Sequence, residues 1–130
     1  MPIRTFVYRL KPTRAQYDAL ARVLEDQRTL YNAALEERIS AWRRRGLAIG
    51  LNDQTKSLTK VRSFDPTLGS VPYNLSKWTL KRLDDAFNGF FRRCKNRQNP
   101  GFPRFRGRSR WTSFGFHQKD GLRLKDDRLL

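Results

Sequence analysis

The sequence predicts an α+β fold, and three observations carry that expectation. Residues Ile3–Leu10 alternate with period 2, placing Arg4, Phe6, Tyr8 and Leu10 on one face and Ile3, Thr5, Val7 and Arg9 on the other. Two stripes of helical period follow, one between Thr13 and Gly46 and one from about Asn74 to Lys95. Trp111–Phe116 then reads as a strand, with a hairpin signal at Asp120-Gly121 and a returning strand at Leu122–Lys125. The economical topology is a small sheet with a helical insertion between its first and second strands.

Pro12 stops the first strand, and Thr13-Arg14-Ala15-Gln16 has the form of a capping box, with Thr13 as N-cap and Gln16 reaching back. Tyr17, Leu20, Leu24, Tyr31, Leu35, Ile39 and Trp42 then fall within an arc of about 100°, the width of one buried stripe. Arg43, Arg44 and Arg45 suit the negative end of a helix dipole, and Gly46 is a stop signal. No Gly or Pro interrupts Thr13 to Gly46, and the stripe keeps phase across Asp26-Gln27-Arg28. A helix-turn-helix swings its second helix by roughly 90–120°. The unbroken phase predicts one long helix instead, or two nearly coaxial ones.

Gly46–Asn52 reads as a linker, and Asp53–Ser63 as a short helix capped by Asn52, with Leu58 and Val61 inward. Asp65-Pro66, Gly69 and Pro72 mark a loop. The second long helix turns Leu80, Leu83, Phe87, Phe90, Phe91 and Cys94 inward, and Asn99-Pro100-Gly101 ends that region. Prolines hold Phe102-Pro103-Arg104-Phe105-Arg106 extended. Asp126-Asp127 is a further turn signal. The apolar run begun by Arg128-Leu129-Leu130 stops at once, as in a cut through a β-domain.

The 130 residues contain 28 Lys plus Arg against 12 Asp plus Glu, a net +16, with one His and one Cys. One Cys excludes a disulfide framework or a zinc ribbon built on paired cysteines, and one His excludes a His-cluster metal site. The sequence shows no signal-peptide core and no apolar run of about 18 residues. These features predict a cytoplasmic protein, free or nucleoid-associated, with a polyanionic partner and no membrane or small-molecule substrate. The charge is segregated: residues 88–119 carry nine basic and no acidic residues, and residues 42–63 carry six against one. A merely solvated surface would intersperse both signs.

Arg104, Arg106, Arg108 and Arg110 alternate with Phe102, Phe105 and Trp111, which in an extended segment makes one basic row beside aromatic stacking platforms. The alternative is a solvated edge whose charges block aggregation. Arg43, Arg44 and Arg45, and likewise Arg92, Arg93, Lys95 and Arg97, either touch phosphate or complement a helix end. Trp78 lies opposite the core stripe of its helix, so it is a stacking platform or is packed under a neighbouring segment. Asp84-Asp85 and Glu36-Glu37 read as surface charges, with Lys81 spaced to pair with the former. His117 has no triad partner and Cys94 reads as a core filler, so no catalytic residue, metal ligand or cofactor site is assigned.

Several landmarks together resemble the N-terminal third of the OrfB/TnpB proteins of bacterial insertion sequences. These are Lys11-Pro12-Thr13 with Gln16, Leu30-Tyr31-Asn32 with Leu35, Val71-Pro72, Leu83-Asp84-Asp85-Ala86-Phe87-Asn88-Gly89-Phe90-Phe91, Gly101-Phe102-Pro103-Arg104-Phe105-Arg106 and Ser113-Phe114. That family comprises transposon-encoded, RNA-guided DNA nucleases related to type V CRISPR effectors. The resemblance implies a partial wedge-type β-barrel at residues 1–11 and 98–130, interrupted by a recognition-lobe-like helical insertion at 12–97. It also implies contact with guide RNA and target DNA. The family's RuvC-like domain and zinc ribbon have no counterpart in these residues, so the resemblance implies a non-catalytic fragment. The resulting expectation is a structured-RNA-binding unit with a basic Arg/aromatic surface. The alternatives are a free-standing DNA-binding transposase accessory, or a half that docks on a separately encoded RuvC-bearing chain.

Overall fold

A long helix, Arg14–Arg45 (α1), is followed by Leu51–Arg62 (α2), the single turn Pro66–Gly69 (α3) and a second long helix, Tyr73–Lys95 (α4). The computed structural model describes residues 3, 5–98, 101–116, 124–125 and 128–129. The capping box starts α1 as the sequence predicts: the Thr13 hydroxyl accepts from the Gln16 N–H at 3.2 Å, and the Gln16 side chain accepts from the Thr13 N–H at 2.9 Å. Gly46 ends it in the left-handed region at φ 64°, a conformation that is cheap only for glycine. Within α1 no turn occurs, so the phase argument holds. The Asp65 carboxylate caps α3 by accepting from the Thr67 N–H at 2.9 Å.

The two long helices lie parallel. Gln27 meets Ser76 and Thr79, Arg38 meets Asp84, and Trp42 meets Phe91, so both chains advance in the same direction along the contact. A parallel pair needs a return connection, and α2 supplies it by running back against α1: Gln54, early in α2, reaches Ala34 and Arg38. Tyr31, Leu35 and Ile39 of α1, Leu58 of α2 and Leu80, Leu83, Phe87 and Phe90 of α4 form the core.

Five polar residues are buried in this core, Gln27, Arg38, Gln54, Ser76 and Thr79. Gln27 donates to Ser76 Oγ at 3.2 Å and accepts from Thr79 Oγ1 at 2.6 Å. Arg38, only 3% exposed, donates from Nε to Gln54 Oε1 at 2.7 Å and from Nη2 to Asp84 Oδ1 at 3.2 Å. Its guanidinium also lies 5.3 Å from the Phe87 ring centroid. Gln54 in turn donates to the Ala34 carbonyl at 3.0 Å. Burial without these partners would cost several kcal/mol, and with them it fixes which residues face one another.

The α+β expectation is overturned: the fold is helical, with no barrel among the described residues. Residues 5–10 form no regular element and pair with no strand among the described residues, and Ile3 and Val7 are 97% and 93% exposed. Residues 111–116 likewise pair with no strand among the described residues. The backbone ladder among the described residues is the two-residue antiparallel pairing of Leu124 with Leu129 and Lys125 with Arg128. The physical reason lies in Phe102 and Trp111. Both belong to stretches rich in aromatic residues, but their side chains pack on the α1/α4 core, so the burial in the C-terminal segment is against helices rather than within a sheet. The Asp120-Gly121 hairpin, His117, Asn99-Pro100 and the Asp126-Asp127 turn lie outside the described residues.

Smaller departures share one theme, that helical phase does not say where a neighbour stops. Tyr17 and Leu20 continue the α1 stripe beyond its partners and are 62% and 38% exposed. Cys94 is exposed at the end of α4 instead of filling the core. Gly50, not Asn52, caps α2, and its N–H donates to Asp53 Oδ2 at 3.2 Å.

Removing the carboxylate in Asp84→Ala leaves a buried guanidinium short of its counter-ion. A loss of about 2–4 kcal/mol in urea unfolding is expected, with Asp84→Asn, which keeps an acceptor, losing less.

Candidate nucleic-acid interface

Because α1 and α4 run parallel, their C-terminal ends meet at one end of the molecule. Arg43, Arg44 and Arg45 close α1, while Arg92, Arg93, Lys95 and Arg97 close α4, and all seven are exposed. The edge-on contact of Trp42 with Phe91, centroids 5.4 Å apart, holds the two ends together. Each helix end contributes roughly half a negative charge through its dipole, which offsets only about one of these seven cations.

The segment after α4 turns back over this end. Phe102 stacks on Phe90 at 4.8 Å between centroids, and the Arg43 guanidinium lies 5.0 Å from the centroid of the same Phe102 ring. Arg43, Arg44, Arg104 and Phe105 thereby line one cleft of about 640 Å³, together with Glu36, Ile39, Ser40, Phe102 and Pro103. Phe105 is 51% exposed there. Two basic clusters separated by some sixty residues in sequence are thus neighbours across a cleft with an exposed aromatic ring.

Farther along, the segment descends antiparallel to α1. Asn32 pins it by donating to the Arg106 carbonyl at 3.0 Å and accepting from the Arg106 N–H at 2.8 Å. Arg28 adds a second bond to the same carbonyl at 3.0 Å while its other nitrogens bind Glu25. That hydrogen bond holds the Glu25 carboxyl below its ordinary range and the Arg28 guanidinium above its own. A side-chain amide here does the work of a neighbouring strand, satisfying the backbone of a segment that has no sheet partner among the described residues.

The expected single row of four arginines is split. Arg104 faces the cleft, but Arg106 is turned inward with its guanidinium 5.9 Å from the Tyr31 centroid. Arg108–Arg110 forms a 3-10 turn, in which side chains step by about 120° instead of 180°. Arg108 reaches Glu25 at 3.8 Å and Arg110 is exposed. Trp111 is buried against Tyr31 at 4.9 Å, and the Arg82 guanidinium lies 4.8 Å from the indole of Trp111 and 5.6 Å from that of Trp78. Trp78 is half-buried beneath Gly115, where any Cβ would fall 2.7 Å from the indole. Its surroundings are those of a packed side chain beneath a neighbouring segment. Sequence reasoning missed Asn32 and Arg28 as anchors of this segment. Their only signal was polarity on the flank of the α1 stripe.

Residues 1–46 match the family model of the helix-turn-helix domain of IS605 OrfB proteins. The match supports an N-terminal region of OrfB-family, transposase-associated type. No curated protein matches the chain. The OrfB match ends at Gly46, where α1 ends, and the described part of the matched stretch holds one uninterrupted helix. The matched segment contains no turn between two helices among the described residues, whatever the description of the family model. Among the described residues no group of His, Cys, Asp and Glu is placed to hold a metal, and no helix is long and apolar enough to cross a membrane.

Two outcomes test this arrangement. Asn32→Ala should release residues 101–107 and speed tryptic cleavage at Arg104 and Arg106, at a stability cost of about 1–2 kcal/mol. Arg97 sits at φ 57° in the left-handed region, so Arg97→Gly should stabilise the fold by up to about 1 kcal/mol. If the side chain contacts phosphate, the same variant binds nucleic acid more weakly, which filter binding would read.

Proposed function

We propose that the chain is a non-catalytic nucleic-acid-binding unit that grips a structured RNA by its phosphate backbone. The observation that supports this reading is the convergence of Arg43, Arg44, Arg104 and Phe105 on one cleft, beside the four cations that end α4. Arginine forks suit phosphate oxygens, and an exposed phenyl ring can stack on an unpaired base. Arg110 and Arg108 extend the same charge along the segment, and Arg106 and Trp78 support it from beneath. The parent of such a unit would bring target DNA to the same charged face, with nuclease chemistry on a RuvC-bearing part of the protein or a partner chain.

A second reading follows from the family description: a DNA-binding transposase accessory that uses a helix-turn-helix. The unbroken α1 weighs against base reading in a major groove, because no second helix is swung away from the first.

Competition at about 150 mM salt between a structured RNA hairpin and duplex DNA separates the two. Preference for the hairpin is expected; preference for duplex would overturn the RNA reading. If about six phosphates are neutralised, log affinity falls with log salt at a slope of roughly −4 to −5, and Arg43→Ala/Arg44→Ala/Arg104→Ala should reduce that slope by about 2–3.

A further inference from the structure

A second cavity has the opposite electrostatic character. It opens between α1 and the α2/α3 connection, has a volume of about 380 Å³, and is lined by the aliphatic side chains of Leu30, Ala33, Leu58, Val61 and Leu68. Its remaining lining includes three carboxylates, Asp26, Glu37 and Asp65, and no Lys or Arg. In a chain where Lys plus Arg outnumber Asp plus Glu by 28 to 12, that is a local inversion of charge.

The carboxylates are not consumed by the fold. None of the three makes an ion pair among the described residues, where the acidic partners are Asp18, Glu25, Asp84 and Asp85. Asp65 caps α3 through one oxygen, Oδ1. Burial, with Glu25 and Asp65 nearby, pushes the Asp26 carboxyl above its ordinary range, and Arg22 only partly opposes this. Negative charge accumulates here without a counter-charge on the aliphatic floor.

We propose that this groove seats a basic amphipathic helix of a partner protein, which inserts aliphatic side chains into the cavity and sets Lys or Arg against its acidic rim. The span fits. Asp26 and Glu37 lie on one face of α1 about 16 Å apart along the axis, at ~1.5 Å per residue. An amphipathic helix of about three turns covers that length with anchors at i, i+3, i+4 and i+7. The chain's net charge does not oppose such a partner strongly, because at physiological ionic strength fields fade over about 8 Å. The adjacent carboxylates therefore decide the interaction.

The test is fluorescence anisotropy with the full chain and a labelled synthetic helix carrying Leu at the anchor positions and Lys elsewhere, at about 150 mM salt. Micromolar-range binding is expected. Asp26→Asn/Glu37→Gln should weaken it at least about fivefold. Ala33→Phe, which fills the groove from an exposed position on α1, should abolish it while leaving the helical circular dichroism intact. Absence of binding, equal binding of a Leu/Glu helix, or binding untouched by Ala33→Phe would each overturn the proposal. So would a concentration-dependent dimer suppressed by Ala33→Phe, which would assign the groove to a second copy of the chain.

Discussion

The buried guanidinium of Arg38 is the constraint from which the rest of the arrangement follows. It joins Gln54 of α2, Asp84 of α4 and the Phe87 ring from a single position on α1. Apolar side chains alone would tolerate sliding of one long helix along another, since the hydrophobic effect is non-directional. An ion held on three sides does not. With Gln27 bonded to Ser76 and Thr79 some three turns earlier, the register of α1 on α4 is fixed at two separated points.

That register has an electrostatic consequence. Antiparallel packing would have placed Arg43–Arg45 and Arg92–Arg97 at opposite ends of the molecule, each beside the other helix's N-terminus. Parallel packing superimposes them. The positive surface is thus a product of topology as much as of composition, and it comes with a sorting of the cations. Arg28, Arg38, Arg62, Arg82 and Arg106 are drawn into carbonyl, carboxylate or aromatic contacts. They hold the scaffold, while the arginines at the helix ends and at Arg104 stay exposed. The +16 read from composition overstates what faces a ligand, and its location matters more than its size.

Both helices were legible in the sequence because their signals are local: a capping box, a left-handed glycine and an unbroken apolar phase. The β expectation failed at residues 5–10 because alternation there marks no buried face at all, both sides being exposed, and at 111–116 because period 2 reports only that alternate residues meet an apolar environment. Whether that environment is a sheet or the flank of two helices depends on contacts more than sixty residues away, such as Asn32 with Arg106. The same long-range contacts explain why two separate sequence landmarks, Leu30-Tyr31-Asn32 and Phe102 to Arg106, behave as one unit: they touch. The charge runs were also visible, but their convergence on one cleft was not, since it requires the relative direction of α1 and α4.

The position of the cations at helix C-termini also constrains how this surface can work. At a helix N-terminus, free backbone N–H groups can bind phosphate directly, and a recognition helix presents its N-terminal residues to base edges. At a C-terminus the exposed backbone groups are carbonyls, which repel phosphate. The proposed anion binding at the paired ends of α1 and α4 would therefore rely on side chains that reach beyond the carbonyls, and the long, forked arginines that dominate there meet that requirement better than shorter donors. Such side chains follow backbone shape and salt-sensitive charge more readily than sequence. A surface of this construction is suited to holding a folded polyanion in place, and poorly suited to reading its bases.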